Sequence, residues 1–190
     1  MADDNAYHEY LMTRSNFALY YRNFYLYPQI NRNLKGKVLD VGCGIGDFLK
    51  YRKNNPTIGI DINKSIVAYC KSQGLNVISF EDGKIGFDDD SFDGVVLDNV
   101  LEHIEDPSML LYEIRRVLKN DGTFIIGVPG VKGYQSDPDH KCFYDDQKLS
   151  SIERFGFKEK KSFYTPLFKS KLLSERIRQY CIYKVFKCVK

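Results

Sequence analysis

The residues best suited to chemistry are three glycines at alternate positions, Gly42, Gly44 and Gly46, framed by Asp40 and Asp47 in the run VLDVGCGIGD over 38–47. Glycine admits positive φ and lets a ligand approach the backbone with no Cβ in the way, and free N–H groups gather where a helix begins. The apolar run Val38–Val41 reads as a buried parallel strand and Phe48-Leu49 as the start of a helix. Together they predict a nucleotide-binding corner. A dinucleotide fingerprint, G-x-G-x-x-G, would place its third glycine at position 47, which is Asp47 here. An acid at a helix start is also a poor host for pyrophosphate. G-x-G-x-G with acids before and after it suits a ligand with an amino group, a ribose and no phosphate.

The elements that must hold this corner alternate in the manner of a parallel sheet. Strands are predicted near 37–41, 57–61, 76–80, 93–98, 123–128 and 157–164, with helices near 46–54, 64–73, 106–118 and 145–155. Asp106-Pro107 reads as a helix start, Asp capping and Pro at the first helical position. Leu110, Leu111, Ile114, Val117 and Leu118 then recur at helical spacing. Lys119-Asn-Asp-Gly122 predicts the turn into the fifth strand. Residues 182–189 fit either an antiparallel edge strand or a basic amphipathic helix. Their β-branched and aromatic content favours the strand.

Residues 38–47 resemble the first motif of the class I S-adenosylmethionine-dependent methyltransferases, and further resemblances follow in register. Gly59-Ile-Asp-Ile62 is similar to the family's second motif. Phe80-Glu-Asp-Gly-Lys-Ile-Gly-Phe87 with Ser91-Phe-Asp93 is similar to its third-strand acid and the run after it, and Leu97-Asp-Asn-Val-Leu-Glu-His-Ile104 to the fourth-strand motif of its small-molecule branch. The resemblance spans roughly 36–157. It implies an α/β, Rossmann-like doubly wound sheet of seven mostly parallel strands, the last antiparallel, in one domain over 1–190. It also implies S-adenosyl-L-methionine as cofactor, the nucleoside ligand that the glycine corner describes.

For that cofactor, Asp40, Gly42, Gly44 and Gly46 provide the close backbone approach, and Asp61 at the second strand's tip accepts from the ribose hydroxyls, with Ile62 beside it. Glu81 and Asp82 compete for the place beside the adenine; counting back from Ser91-Phe-Asp93 favours Glu81, with the Asp82 N–H near the ring. The carbonyl of Asp98 is expected to face the cofactor's amino group, and Asp93 to fix the loop before the fourth strand.

A hydroxyl acceptor needs a base. His140, in the loop after Pro129-Gly130, is the first candidate, because ligands bind beyond the carboxyl ends of parallel strands. A capping role for His140 has nearly equal weight. His103 is the second candidate, with a packing role favoured, and His8 is incidental. Asp98, Asp137 and Asp139 are too loosely spaced to specify a metal, so none is expected. The Asn/Asp-Pro-Pro-Tyr motif of enzymes acting on planar amines is absent, Asp98-Asn-Val-Leu101 standing in its place. The pattern Asp139-His-x-x-Phe-Tyr144 with Phe155-Gly-Phe157 resembles bacterial methyltransferases of polysaccharide and lipid biosynthesis. O-methylation of a sugar or lipid-linked intermediate is the expected reaction. A cofactor-binding subunit without catalysis, or a methyltransferase for another small molecule or a protein, would carry the same cofactor motifs.

Composition narrows the classes. At 190 residues, 43% hydrophobic and 28% charged, the chain is long enough for a sizeable core. The net charge of +3 is unevenly spread: residues 158–190 carry ten Lys/Arg against Glu159 and Glu175, a balance of +8 that leaves −5 on the remainder. An acidic body argues against nucleic acid as partner. The basic C-terminal edge, 158–190, invites peripheral contact with anionic lipid or is a solvated face. No apolar run approaches the ~20 residues of a membrane span, and the acidic N-terminus lacks a signal-peptide pattern, so a cytoplasmic protein is expected. Cys43, Cys70, Cys142, Cys181 and Cys188 show no C-x-x-C spacing and read as reduced thiols. Residues 1–35 are rich in rings (Tyr7, Tyr10, Phe17, Tyr20, Tyr21, Phe24, Tyr25, Tyr27). They predict a helix that either packs on the sheet or closes over the site as a lid, with Arg22 available to the cofactor's carboxylate.

Overall fold

The computed structural model describes residues 16–81 and 84–190. Tyr7, His8, Tyr10, the side chain of Phe17, and Asp82 lie outside the described residues.

The order of elements follows the alternation in the sequence. An N-terminal helical segment runs through α1 (Asn16–Tyr21), a π-helical stretch Arg22–Leu26 and α2 (Tyr27–Asn31). Then come β1 (Val38–Val41), α3 (Asp47–Tyr51), β2 (Thr57–Asp61), α4 (Lys64–Ser72), β3 (Val77–Ser79) and β4 (Phe92–Asp98). A 3-10 turn, Leu101–His103, leads to α5 (Ser108–Val117), β5 (Leu118–Pro129) and α6 (Val131–Tyr134). The chain closes with α7 (Asp146–Ser150), β6 (Phe157–Thr165), α8 (Lys171–Arg176) and β7 (Cys181–Cys188).

The seven strands form one sheet in the order β3-β2-β1-β4-β5-β7-β6. β1 pairs parallel with β2 on one side and β4 on the other, Leu39 opposite Ile58 and Val95. All four β1 residues are buried, as a strand covered on both faces requires. Sequence order reverses between β1 and β4. The crevice beyond their carboxyl ends is therefore the switch point where open α/β sheets bind ligands. The glycine run follows β1 and Asp98-Asn99 ends β4, so both motifs meet there.

Local chemistry explains the element ends. Gly46, φ +75°, caps α3; a Cβ there would overlap Leu75, so α3 starts one residue later than the sequence reading and ends by Tyr51. Asn63 caps α4, its side chain accepting from Ile66 N at 3.0 Å. Asp106 accepts from Ser108 N at 3.0 Å, and α5 begins at Ser108, two residues after the expected start. Leu110, Leu111, Ile114 and Val117 are its buried stripe. The predicted turn at 119–122 is a bulge within β5. Pairing jumps from Phe92–Leu118 to Gly94–Thr123, with Asp121 at φ +59°. Asp93 fixes this corner, accepting from Lys37 N and Lys119 Nζ, both at 2.8 Å.

The strand expected at the edge over 182–189 is present but is not an edge. Residues 181–188 are a strand, but β7 is inserted antiparallel between β5 and β6, and β6 is the edge. Apolar side chains on both faces of β7 favour an inner place, and residues Ile182–Phe186 are all buried. Lys184 is only 4% exposed and reaches Glu159 at 2.8 Å, while Lys187 and Lys190 meet Asp121 and Asp90. Part of the +8 is thus neutralised inside the fold. Leu26, Tyr27 and Ile30 pack with Val38, Phe48 and Tyr183. The aromatic segment is therefore anchored to the sheet rather than loose above it.

Candidate active site

A cleft of about 770 Å³ opens at the switch point between β1 and β4. One wall is the glycine corner, with Asp40, Gly42, Gly44 and Asp47. Gly42, Gly44 and Gly46 all have positive φ, +69°, +51° and +75°, a conformation that costs other residues strain. The corner is held from beneath by Asp61, whose carboxylate accepts from Gly44 N and Asn63 N, each at 2.9 Å. Asp61 is itself buried and, like Gly46, does not line the cleft.

The second wall is the N-terminal helical segment. Tyr21, Arg22 and Tyr27 line the cleft, and Arg22 Nη1 donates to Asp98 Oδ2 at 3.4 Å and to Tyr27 Oη at 3.3 Å. Burial works against the guanidinium's charge, but Tyr27, Asp98 and Tyr183 raise its pKa well above the ordinary arginine value. Burial pushes the Tyr27 phenol up to about 12. Asp98 also accepts from Tyr183 Oη at 2.7 Å. That bond needs Gly127 opposite, because a Cβ there would overlap the Tyr183 ring.

Asp40, Asp61 and Asp98 converge around the corner. Burial, then the charges of Asp98 and Asp61, push the Asp40 carboxyl well above the usual carboxylate range, and the Arg22 cation works against them. Such a site favours a ligand with positive charge and hydroxyls over a phosphate. S-adenosylmethionine, with a sulfonium, an ammonium and a ribose, fits these residues. When bound, it supplies a methyl group already activated for attack by an acceptor.

At the far end of the cleft the structure brings together residues distant in sequence. His103 follows β4 in the 3-10 turn and His140 comes from the loop after α6, yet their ring centroids are 4.6 Å apart. Backbone bonds from Lys141 N and Cys142 N to the Glu102 carbonyl, 2.8 and 3.0 Å, tie the loop to the turn. His140 Nδ1 lies 2.8 Å from the Tyr134 carbonyl, which can only accept, so Nδ1 is the donor and the lone pair of the neutral ring lies on Nε2. That Nε2 lies 3.8 Å from both Glu102 Oε1 and Asp137 Oδ2. Burial, then His140, lower the His103 pKa. Glu102 is 1% exposed, and burial pushes its carboxyl up to about 8.

Other predicted residues fall elsewhere. Ile62 is 70% exposed and Glu81 is exposed in an ion pair with Lys64 at 2.8 Å; neither lines the cleft. Both sit past the tips of β2 and β3. Sequence reasoning missed Glu102 as a site residue. The adjacent Glu102-His103 pair was the available signal, obscured because its companion His140 is contributed by a distant loop. It also missed Cys181 and Tyr183, which line the cleft only because β7 is an inner strand.

The chain matches the methyltransferase-domain family over residues 39–126. It is 33% identical over 143 residues to an uncharacterised protein of Methanocaldococcus jannaschii, covering 69% of each chain. The chain belongs to the class I S-adenosylmethionine-dependent methyltransferases. As a methyltransferase it is also 33% identical over 113 residues to the ubiquinone/menaquinone biosynthesis C-methyltransferase of Citrifermentans bemidjiense, which covers 52% of this chain and 47% of that one. Its fold is similar to that of a SAM-dependent methyltransferase from Archaeoglobus fulgidus, with a TM-score of 0.68, 22% identity, and coverage of 91% of this chain and 100% of the other. Among the described residues no helix of this methyltransferase is long and apolar enough to cross a membrane.

Proposed function

We propose that this methyltransferase acts on a hydroxyl of a small acceptor, a sugar or glycolipid intermediate, with His140 as the base. The observation that carries this reading is the committed Nδ1 of His140. It leaves the Nε2 lone pair on the cleft side, in the same cavity as the glycine corner. In-line transfer needs the acceptor oxygen, the methyl carbon and the leaving sulfur aligned, so the protein's main contribution is positioning. The base removes the hydroxyl proton as the oxygen attacks. The N-terminal helical segment, 16–31, serves as the lid over the cofactor. Asp61 and the glycine corner hold the nucleoside, and Glu81 and Ile62 flank its outer side.

The same reading places the protein in the cytoplasm. Lys158, Lys160 and Lys161 on the exposed edge strand β6 are offered to the headgroups of a membrane carrying a lipid-linked acceptor. Incubating a cell extract with the enzyme and methyl-labelled cofactor, then locating the label by mass spectrometry, tests the acceptor. Label on the oxygen of a hexose or lipid-linked sugar supports the proposal. Label on carbon, protein or RNA refutes it.

A further inference from the structure

We propose that Glu102, His103 and His140 form a binding site for one divalent transition-metal ion of the zinc or iron(II) class, at the acceptor end of the cleft. One ligand atom from each residue lies within 4.8 Å of the other two. In a tetrahedral zinc site, bonds of about 2.0–2.1 Å put ligand atoms roughly 3.3 Å apart, so small side-chain rotations close the set. The loop carrying His140 is already bound to the Glu102 backbone through Lys141 N and Cys142 N, so the ligands need no loop docking to meet.

Two independent observations point to an ion. The first is Glu102. Its side chain is 1% exposed, and apart from its own backbone N–H neither carboxylate oxygen has a hydrogen-bond partner among the described residues, while His140 Nε2 lies 3.8 Å away. A buried carboxylate left so is costly, and a cation between it and the imidazoles offsets that cost. The second is the outer support. Metal-binding histidines commonly donate their other ring N–H to a carbonyl, which fixes the tautomer that ligates. His140 does this to Tyr134 O at 2.8 Å, and a hydrogen bond to the Asp139 backbone engages His103.

The donor set selects the ion. Two imidazoles and one carboxylate suit zinc, iron(II), cobalt(II) or nickel(II), whereas magnesium and calcium require oxygen ligands. Three protein ligands leave coordination positions open toward the cleft. An acceptor oxygen bound there has its proton acidified by the ion. His140 Nε2 serves as the base in the metal-free protein; an ion bound there would take up that lone pair and would itself supply the activation of the hydroxyl. Only this last step rests on the hydroxyl-acceptor reading; the site itself does not.

The test is made on the whole chain without acceptor. Protein stripped with a chelator is titrated with zinc(II) by calorimetry and with cobalt(II) by visible spectroscopy. One ion per chain is expected, with cobalt d–d bands and no thiolate charge-transfer band. Glu102→Gln, His103→Ala and His140→Ala are each expected to weaken binding at least about 100-fold, while S-adenosylhomocysteine binding at the glycine corner shows that the variants fold. If Glu102→Gln fails that check, the two histidine variants decide. No saturable binding at micromolar ion, a thiolate spectrum, or full binding by folded His103→Ala and His140→Ala overturns the inference. Metal-free protein that binds no ion yet methylates a hydroxyl refutes the metal site alone and leaves the acceptor reading standing.

Discussion

The Arg22 guanidinium donates to the Asp98 carboxylate at 3.4 Å, joining the N-terminal helical segment to the tip of β4 across the mouth of the cleft. The segment is a wall of the site, and its position depends on this bond and on the packing of Leu26, Tyr27 and Ile30 beneath it. Arg22→Leu removes a cation that interacts with both Asp40 and Asp98 while leaving the apolar packing. The expected outcome is a loss of about 2 kcal/mol in urea unfolding and weaker binding of S-adenosylhomocysteine. An unchanged midpoint would mean the pair does not hold the segment.

Asp61 carries both the loop and the ligand. Asp61→Ala frees Gly44 N and Asn63 N as well as removing the ribose acceptor, so S-adenosylhomocysteine affinity should fall at least about 10-fold. Glu81→Ala, by contrast, breaks an exposed ion pair with Lys64 and removes a contact only at the nucleoside's outer side, so it should leave the ligand-free melting temperature unchanged and cost less affinity than Asp61→Ala. Calorimetry on the two variants separates the corner from the rim. Equal effects would refute this division.

Gly127 makes room for Tyr183 to reach Asp98. Gly127→Ala is expected to destabilise the fold by about 1–3 kcal/mol through overlap with the Tyr183 ring. Tyr183→Phe keeps the ring and loses the 2.7 Å bond, costing about 1 kcal/mol. Chemical denaturation that ranks the variants the other way would show that the hydrogen bond outweighs the steric fit.

Asp93 supplies a pH dependence. Hydrogen bonds from the Lys119 ammonium and then from the Lys37 backbone N–H hold its carboxyl below the usual range. A depressed native pKa gives stability that is present above the unfolded value, about 3.9, and is lost as pH falls through the native one. Asp93→Asn should therefore unfold at lower urea than the parent at pH 6, by about 1 kcal/mol after solvent screening, and the gap should close toward pH 2. A gap that persists in acid would assign the effect to shape rather than charge.

His140→Ala should reduce turnover about 10²–10⁴-fold with little change in cofactor affinity. His103→Ala, expected from sequence to act through stability, should now reduce turnover too, because the two rings touch in one cluster. Single-turnover kinetics on folded variants measures both. Full activity in His140→Ala would remove it from the reaction.

The sequence made the parallel half of the fold readable because its signals are local: a four-residue apolar strand, alternate glycines, a helical stripe at Leu110 to Val117. The glycine corner was legible for the same reason, since its function lies in its own backbone. Glu102 was not, because a buried carboxylate without a partner is a property of the packed interior. The meeting of His103 and His140, 37 residues apart in sequence, depends on a loop anchored to the turn after β4. The inner place of β7 was equally hidden, as its alternation fits any sheet position and only pairing with both β5 and β6 decides it.

That placement bears on how the protein is made. Until residues 181–188 have emerged from the ribosome, β5 offers an open row of backbone donors and acceptors and β6 has nothing to pair with. Completion of the sheet, and of the cleft wall that Cys181 and Tyr183 supply, thus waits for a strand made about 140 residues after the first strand. Nascent chains stopped before residue 181 are expected to need chaperone cover and to bind cofactor poorly despite carrying every glycine of the corner.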